Sequence, residues 1–344
     1  MKWLDCDGCD QDIVVSSRIR LARNIENIKF PQKINKDDSD NIKEQIKKAV
    51  TENNEIGKNY RYYDMKNLNI VESRKYVEDH LISPGLLEHS QIGGFLLSED
   101  EKSTIMINEE DHIRMQVLYP GFELEKCFSE SNRIDDILES KIKYAFDEKI
   151  GYLTSCPTNI GTGMRASVML HLPSLVITNQ INGIIQAVNQ IGLTVRGVYG
   201  EGSNAMGNLF QISNQTTIGE SEEDIIQKLK NIVNQLVKNE RNARNTIYTN
   251  NKIRMEDKVC RSLGTLKNAR ILSTDEAMSL LSDVKLGIEM NIIDNIDRVI
   301  INKLMIKIQP AHILNSADKD LDANDRDILR AKIVRESLEK EAIK

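Results

Sequence analysis

The segment Cys156-Pro157-Thr158-Asn159-Ile160-Gly161-Thr162-Gly163, with Arg165 just beyond it, sets a thiol, two glycines and a guanidinium within ten positions. Glycine lets backbone amides come close to an anion, which is what a phosphate-holding loop requires. The stretch also matches a dinucleotide fingerprint at Gly161-x-Gly163-x-x-Ala166. Pro157 and Asn159 make a poor preceding strand, however, and no acid follows about 20 residues on to hold a ribose, so that reading fails. The chain has no GxxxxGK[ST], which excludes a P-loop. A second cluster, Glu109-Glu110-Asp111-His112, packs three acids at the end of a strand-like run. As a turn or helix start it would suit the helix dipole. As chemistry it supplies a general base, the group that a weak, protonated nucleophile such as a guanidinium needs to lose its proton.

Arg18, Arg20, Arg114, Arg165 and Arg196 all stand beside turn or strand-end signals. Singly, each reads as a solvated surface charge. Together they could hold a triphosphate, because guanidinium forks match phosphate oxygens two bonds at a time. Arg18-x-Arg20 is the most telling pair, since two cations on one strand face repel unless an anion lies between them. Near the end of the chain Arg326 and Arg330, with Asp327, stand at i and i+4 spacing in an acid-rich stretch. Physics alone reads these as a solvated charged helix face.

Residues 13–21 alternate, with Arg18 and Arg20 on one side and Ile19 and Leu21 on the other, so a strand should carry the first two cations. Strands are expected over 92–97 and 104–108, the second delivering the acidic cluster, and over 193–198. Helices are expected over 37–53, 131–150, 166–172 and 179–190, with a glycine-rich turn over 200–207. From Glu220 onward strand signals almost vanish and four or five helices follow. These readings predict an α+β catalytic body over residues 1–255 and an all-α domain over 256–344.

The 344 residues carry 40% hydrophobic and 28% charged side chains and a net charge of -6, which argues against a dedicated nucleic-acid binder. No apolar run approaches the ~20 residues that span a bilayer, and the N-terminus lacks a signal-peptide core. A cytoplasmic protein without membrane association is expected. Five scattered cysteines give no disulfide framework, and Cys6-x-x-Cys9 lacks the second pair that a structural zinc requires.

Ser16-Ser17-Arg18-Ile19-Arg20, Asn108-Glu109-Glu110-Asp111-His112-x-Arg114, Cys156-Pro-Thr-Asn-x-Gly-Thr-Gly-x-Arg165 and Val195-Arg196-Gly197 resemble the motifs of the phosphagen (guanidino) kinases, in that family's order. The resemblance covers roughly residues 12–255 and implies an antiparallel sheet flanked by helices. Residues 16–24, Tyr199-Gly-Glu-Gly-Ser203 and 207–215 are most similar to the family's bacterial protein-arginine kinase branch. Arg326-Asp327-Ile328-Leu329-Arg330-Ala331 resembles that branch's RDxxRA motif and implies a phosphoarginine-binding site at Arg326, Asp327 and Arg330.

Carried over position by position, the resemblance makes Arg18, Arg20, Arg114 and Arg165 the ligands of the ATP phosphates, with Arg196 supplying charge where metabolic members have an arginine at the place of Tyr199. It makes Glu110 the base and sets Cys156, as a thiolate favoured by neighbouring cations, against the substrate guanidinium. Mg2+ would ride on phosphate oxygens and waters, with no protein metal site. Asn204 replaces the glutamate usual at its position, so one carboxylate of the substrate clamp is missing. The implied partners are protein substrates with exposed arginines, a zinc-finger activator, a heat-shock repressor and the Clp ATPase and protease. A homodimer through the helical domain is expected from the apolar run Val299, Ile300, Leu304, Ile306 and Ile308.

The expected activity is ATP-dependent phosphorylation of arginine side chains in proteins, marking them for Clp degradation and controlling the repressor. Metabolic members place a helical domain of about 100 residues before the first arginine motif. That motif here begins at residue 16, which predicts an open site suited to a polypeptide. The alternatives are a catalytically weak phosphoarginine-binding regulator, motivated by Asn204, and a small-molecule phosphagen kinase.

Overall fold

The computed structural model describes residues 1–198, 205–317 and 321–341, without the side chains of 340 and 341. Asn204, Tyr199 and most of the expected turn over 200–207 lie outside the described residues. The chain folds as two compact units. The first holds residues 1–8, 16–168 and 213–230, the second 9–15, 169–212 and 231–344.

The elements run β1 (Val14–Arg23), α1 (Lys36–Thr51), β2 (Tyr60–Asp64), α2 (Ile70–Glu78), α3 (Pro84–Glu88), β3 (Gly94–Ser98), β4 (Ser103–Ile107), β5 (Ile113–Pro120) and α4 (Leu124–Glu139). A small hairpin β6 (Phe146–Asp147) and β7 (Gly151–Tyr152) leads to β8 (Met164–His171), α5 (Pro173–Ile177), α6 (Ile181–Gln190), β9 (Leu193–Gly197) and β10 (Leu209–Asn214). The rest is helical: α7 (Glu222–Asn268), α8 (Thr274–Glu289), α9 (Arg298–Lys307), α10 (Pro310–Asn315) and α11 (Ala323–Glu341).

In the first unit the strands stand in the order β2-β3-β4-β5-β1-β8. Pairing is antiparallel from β2 through β1. Along β1 the period of two separates the faces as expected: Ile19 and Leu21 are fully buried, while Arg18 and Arg20 are half-buried on the other side. Helix α1 buries Ile42, Ile46 and Val50, and α4 buries Leu124, Ile134 and Leu138 where it packs on β5. In the second unit β9 lies beside β10, and α8, α9 and α11 surround a core of Leu281, Val284, Ile301, Leu304, Ile308, Val334 and Leu338. The fold is the expected sheet flanked by helices with a helical C-terminal region. Helix α7 crosses residue 255 unbroken by a loop, its one irregular residue being Asn251 (φ -139°, ψ 37°). Among the described residues no helix is long and apolar enough to cross a membrane.

Two expectations are corrected. The helix expected over 131–150 occupies 124–139. Beyond it Ile142 and Tyr144 are buried alternately, Tyr144 bridging to Ile25, so the chain there runs extended. Residues 166–171 belong to strand β8, with Leu172 just beyond it: a short run buried on both faces has no period that distinguishes a strand from a helix. Of the apolar run expected to support dimerisation, Leu304, Ile306 and Ile308 are buried within their own unit, while Val299 and Ile300 are half-buried.

Candidate active site

The candidate site lies in the first unit. Antiparallel register pairs Arg20 with Gln116 and Ala22 with Arg114, so Arg18, Arg20, Ala22 and Arg114 share one face of the sheet. On the other side of β1 the Ala22 amide donates to the Gly163 carbonyl (2.9 Å), which brings β8 and Arg165 alongside. The result is an open cleft lined by Arg20, Glu110, Arg114, Cys156, Thr158, Asn159, Gly163 and Arg165 among others. Five of the residues singled out from the sequence therefore converge. Arg18 lies one step deeper, its Nε 3.4 Å from Ser167 Oγ. Arg196 is exposed on β9, in the second unit.

The cluster is cationic beyond what its own carboxylates balance. Burial, reinforced by the Arg114 and Arg165 cations, pushes Arg18 down to about 10. Burial, together with Arg18, Arg114 and Arg165, holds Arg20 well below the usual arginine range. Arg20 Nε is buried and lacks a hydrogen-bond partner. Buried cations beside like charges are unfavourable, and a bound polyanion would offset their mutual repulsion.

The turn after β4 separates its acids by role. Burial alone would raise Glu109, but Arg114, at 2.7 Å from both its oxygens, and the Ser83 hydroxyl at 2.6 Å hold it below the usual range. Asp111 is buried and accepts from Asn24 Nδ2 (2.6 Å) and the Ser155 amide (2.7 Å). His112 accepts the Ile25 amide at Nδ1 (3.1 Å), which leaves Nε2 to donate to the Lys29 carbonyl (2.9 Å) and fixes a neutral ring. Glu110 alone faces the cleft. Burial first, then the Asp111 and Glu109 charges, raise its pKa, against a smaller opposing effect of Arg114 and a hydrogen bond with Cys156. A carboxylate so raised is a stronger proton acceptor, and the acceptor stands at the thiol.

The glycine-bearing loop departs from the expected phosphate cradle. Its amides turn inward: Gly161 N–H donates to the Tyr152 carbonyl (3.4 Å), Thr162 N–H to Thr217 (3.1 Å) and Met164 N–H to Thr162 Oγ1 (3.2 Å). The glycines serve close packing. A Cβ on Gly163 (φ +64°) would stand 2.6 Å from the Ala22 carbonyl oxygen, and one on Gly161 (φ +111°) 2.3 Å from that of Thr217. The loop presents side chains instead, Cys156 Sγ lying 3.1 Å from Thr158 Oγ1.

Sequence reasoning missed the groups that fasten this loop. Arg23 is buried, pairs with Asp135 through Nε (3.0 Å) and Nη2 (2.7 Å), and donates Nη1 to the Ala22 and Thr162 carbonyls, both at 3.0 Å. Its guanidinium stacks 3.5 Å over Tyr152. Thr217 Oγ1 bonds the Thr158 (3.0 Å) and Ile160 (2.6 Å) carbonyls. The signal for Arg23 was its odd position in β1, on the buried side of the alternation, where a cation must be paired.

In the second unit Arg330 is not the solvated residue that its spacing suggests. It is buried, donating Nε to the Ile308 carbonyl (2.9 Å) and Nη1 to the Leu272 carbonyl (2.8 Å) and to Asp327. Arg326, one turn earlier, is half-buried.

Fold and cleft together define a guanidino phosphotransferase: the family model described as ATP:guanido phosphotransferase, C-terminal catalytic domain, matches residues 41–243. Among solved structures the chain is similar to lombricine kinase, with a TM-score of 0.60, 25% identity and 68% of each chain covered. A second model, the protein-arginine kinase McsB C-terminal domain, matches residues 252–344. Relatives named protein-arginine kinase are 51% identical in Geobacillus sp. (98% of this chain, 94% of the relative) and 50% identical in Bacillus subtilis (98% and 93%). The chain belongs to the protein-arginine kinase family.

Proposed function

We propose that this protein transfers the γ-phosphoryl group of ATP to an arginine side chain of a protein substrate. The observation that carries the reading is the cleft where Glu110 and Cys156 meet Arg20, Arg114 and Arg165. The arginines lining the cleft would bind the triphosphate through their guanidinium forks. Glu110 would accept the proton that a guanidinium nitrogen must lose on attacking phosphorus. Cys156, which lines the same cleft as Glu110, would fix the guanidinium plane. Among the described residues lining the cleft the one carboxylate is Glu110, so Mg2+ would be held mainly by phosphate oxygens and waters, where it would neutralise developing charge. Positioning and charge stabilisation supply the rate enhancement.

In the second unit, Arg326 and Asp327 would hold phosphoarginine, with Arg330 fixing their turn of α11 from beneath. On the resemblance we extend the proposal to a zinc-finger activator, a heat-shock repressor and Clp-dependent degradation of modified proteins. The test is incubation with ATP and either casein or free arginine, scoring phosphoarginine. Label on casein, lost in Glu110→Gln, is the expected result; label on free arginine alone would refute the reading.

A further inference from the structure

Three exposed apolar side chains stand beside the loop that lines the cleft. Phe146 is 55% exposed, Ile150 44% and Ile218 57%. Backbone pairing sets their neighbours in a row. Phe146 pairs with Tyr152 across the hairpin, the rings meeting edge-on at 5.1 Å. Tyr152 bridges in turn to Gly161, and a Cβ on Gly161 would come within 2.9 Å of Ile218 Cα. Gly161 contributes no side chain, so the surface between Tyr152 and Ile218 is low. The row is tied to the cleft through Thr217, the residue before Ile218, whose hydroxyl bonds the carbonyl of cleft-lining Thr158. Exposed Lys143, Glu148 and Lys149 rim the hairpin. An apolar patch with a polar rim is the form of a recognition surface.

We propose that this ledge receives an apolar side chain of the substrate polypeptide, two or three residues from the target arginine. The inference rests on the reading of the chain as a kinase of protein arginines. An extended chain advances ~3.3 Å per residue, so two or three residues cover roughly the width of two strands. With the guanidinium between Glu110 and Cys156, the flanking residues of a polypeptide cross the rim of the cleft. Continuity of the ledge with the cleft loop favours the substrate over a second copy of the chain.

The test uses peptides with one arginine and either Phe or Ser placed two or three positions to either side, with phosphoarginine formation read as KM and kcat. Wild type should show a KM about fivefold lower for the best Phe peptide than for its Ser counterpart. In the Phe146→Ser/Ile218→Ser variant that ratio should fall to about one, while Ile70→Ser, a change at a residue equally exposed at 58%, keeps it. Should the double variant fail to fold, each single variant should lower the ratio partway. A ratio near one in wild type, or one preserved in the double variant, overturns the ledge and leaves the kinase reading standing. Loss of self-association in the double variant with the ratio intact assigns the face to a second copy, and also overturns it. No phosphoarginine on any peptide or protein overturns the kinase reading and the ledge with it.

Discussion

Replacing Arg23 with Met removes the central fastener of the cleft while keeping a chain of similar length. Four hydrogen bonds are lost, two to Asp135 and one each to the Ala22 and Thr162 carbonyls. The Asp135 side chain is only 10% exposed, so its carboxylate is left as a buried charge without its partner. Breaking a buried pair from one side costs about 3–5 kcal/mol, and two unsatisfied carbonyls add about 1 kcal/mol each if the loop cannot shift to meet water. These terms overlap, so we expect about 4 kcal/mol. The assay is urea unfolding of Arg23→Met, Asp135→Leu and the double variant. The double variant should recover 2 kcal/mol or more of the loss, because removing both charges also removes the desolvation penalty. Since Arg23 holds Thr162, the loop carrying Cys156 should also move, lowering kcat/KM about 10- to 100-fold. A loss below about 1 kcal/mol in Arg23→Met, or a double variant no better than the worse single, would refute the assignment.

Gly163→Ala should cost at least about 1–2 kcal/mol from the left-handed backbone alone, with a further loss of activity as its Cβ forces β1 and the loop apart; thermal melts with kinetics check both. Glu110 works unprotonated, so kcat/KM should fall as pH drops through its raised pKa, and this acid limb should vanish from the residual activity of Glu110→Gln. Asn204→Glu should raise kcat/KM for arginine phosphorylation if the missing carboxylate limits the substrate clamp; equal rates would show that the clamp works without it. Arg326→Ala should weaken phosphoarginine binding about tenfold or more by calorimetry while helix content holds, whereas Arg330→Ala should also lower the melting temperature, because its bonds to Ile308 and Leu272 are buried.

The sheet and the identity of the cleft were legible because their signals are local. Alternation around Ile19 and Leu21 placed Arg18 and Arg20 on one face, and the acidic cluster announced itself by composition. Strand β8 was not legible, since a strand buried on both faces erases the period that names it. The division of labour among Glu109, Glu110 and Asp111 was likewise hidden. Three adjacent acids differ only by what they meet: an arginine for Glu109, an asparagine and a backbone amide for Asp111, a thiol for Glu110. Those partners come from residues 5 to 87 positions away, beyond any local pattern. The inward-turned glycine loop failed for the same reason, because Gly161 is explained by Thr217 and Gly163 by Ala22.

Asp111 does not line the cleft, yet one of its oxygens is gripped by Asn24, the residue after β1, and by Ser155, the residue before Cys156. The proton acceptor and the thiol are thus mounted on a common bracket, one residue to either side of its two arms. The hydrogen bonds of Asp111 help set their separation. Damage to Asp111 would displace both tools at once, so its effect should not add to those of Glu110 or Cys156 but subsume them.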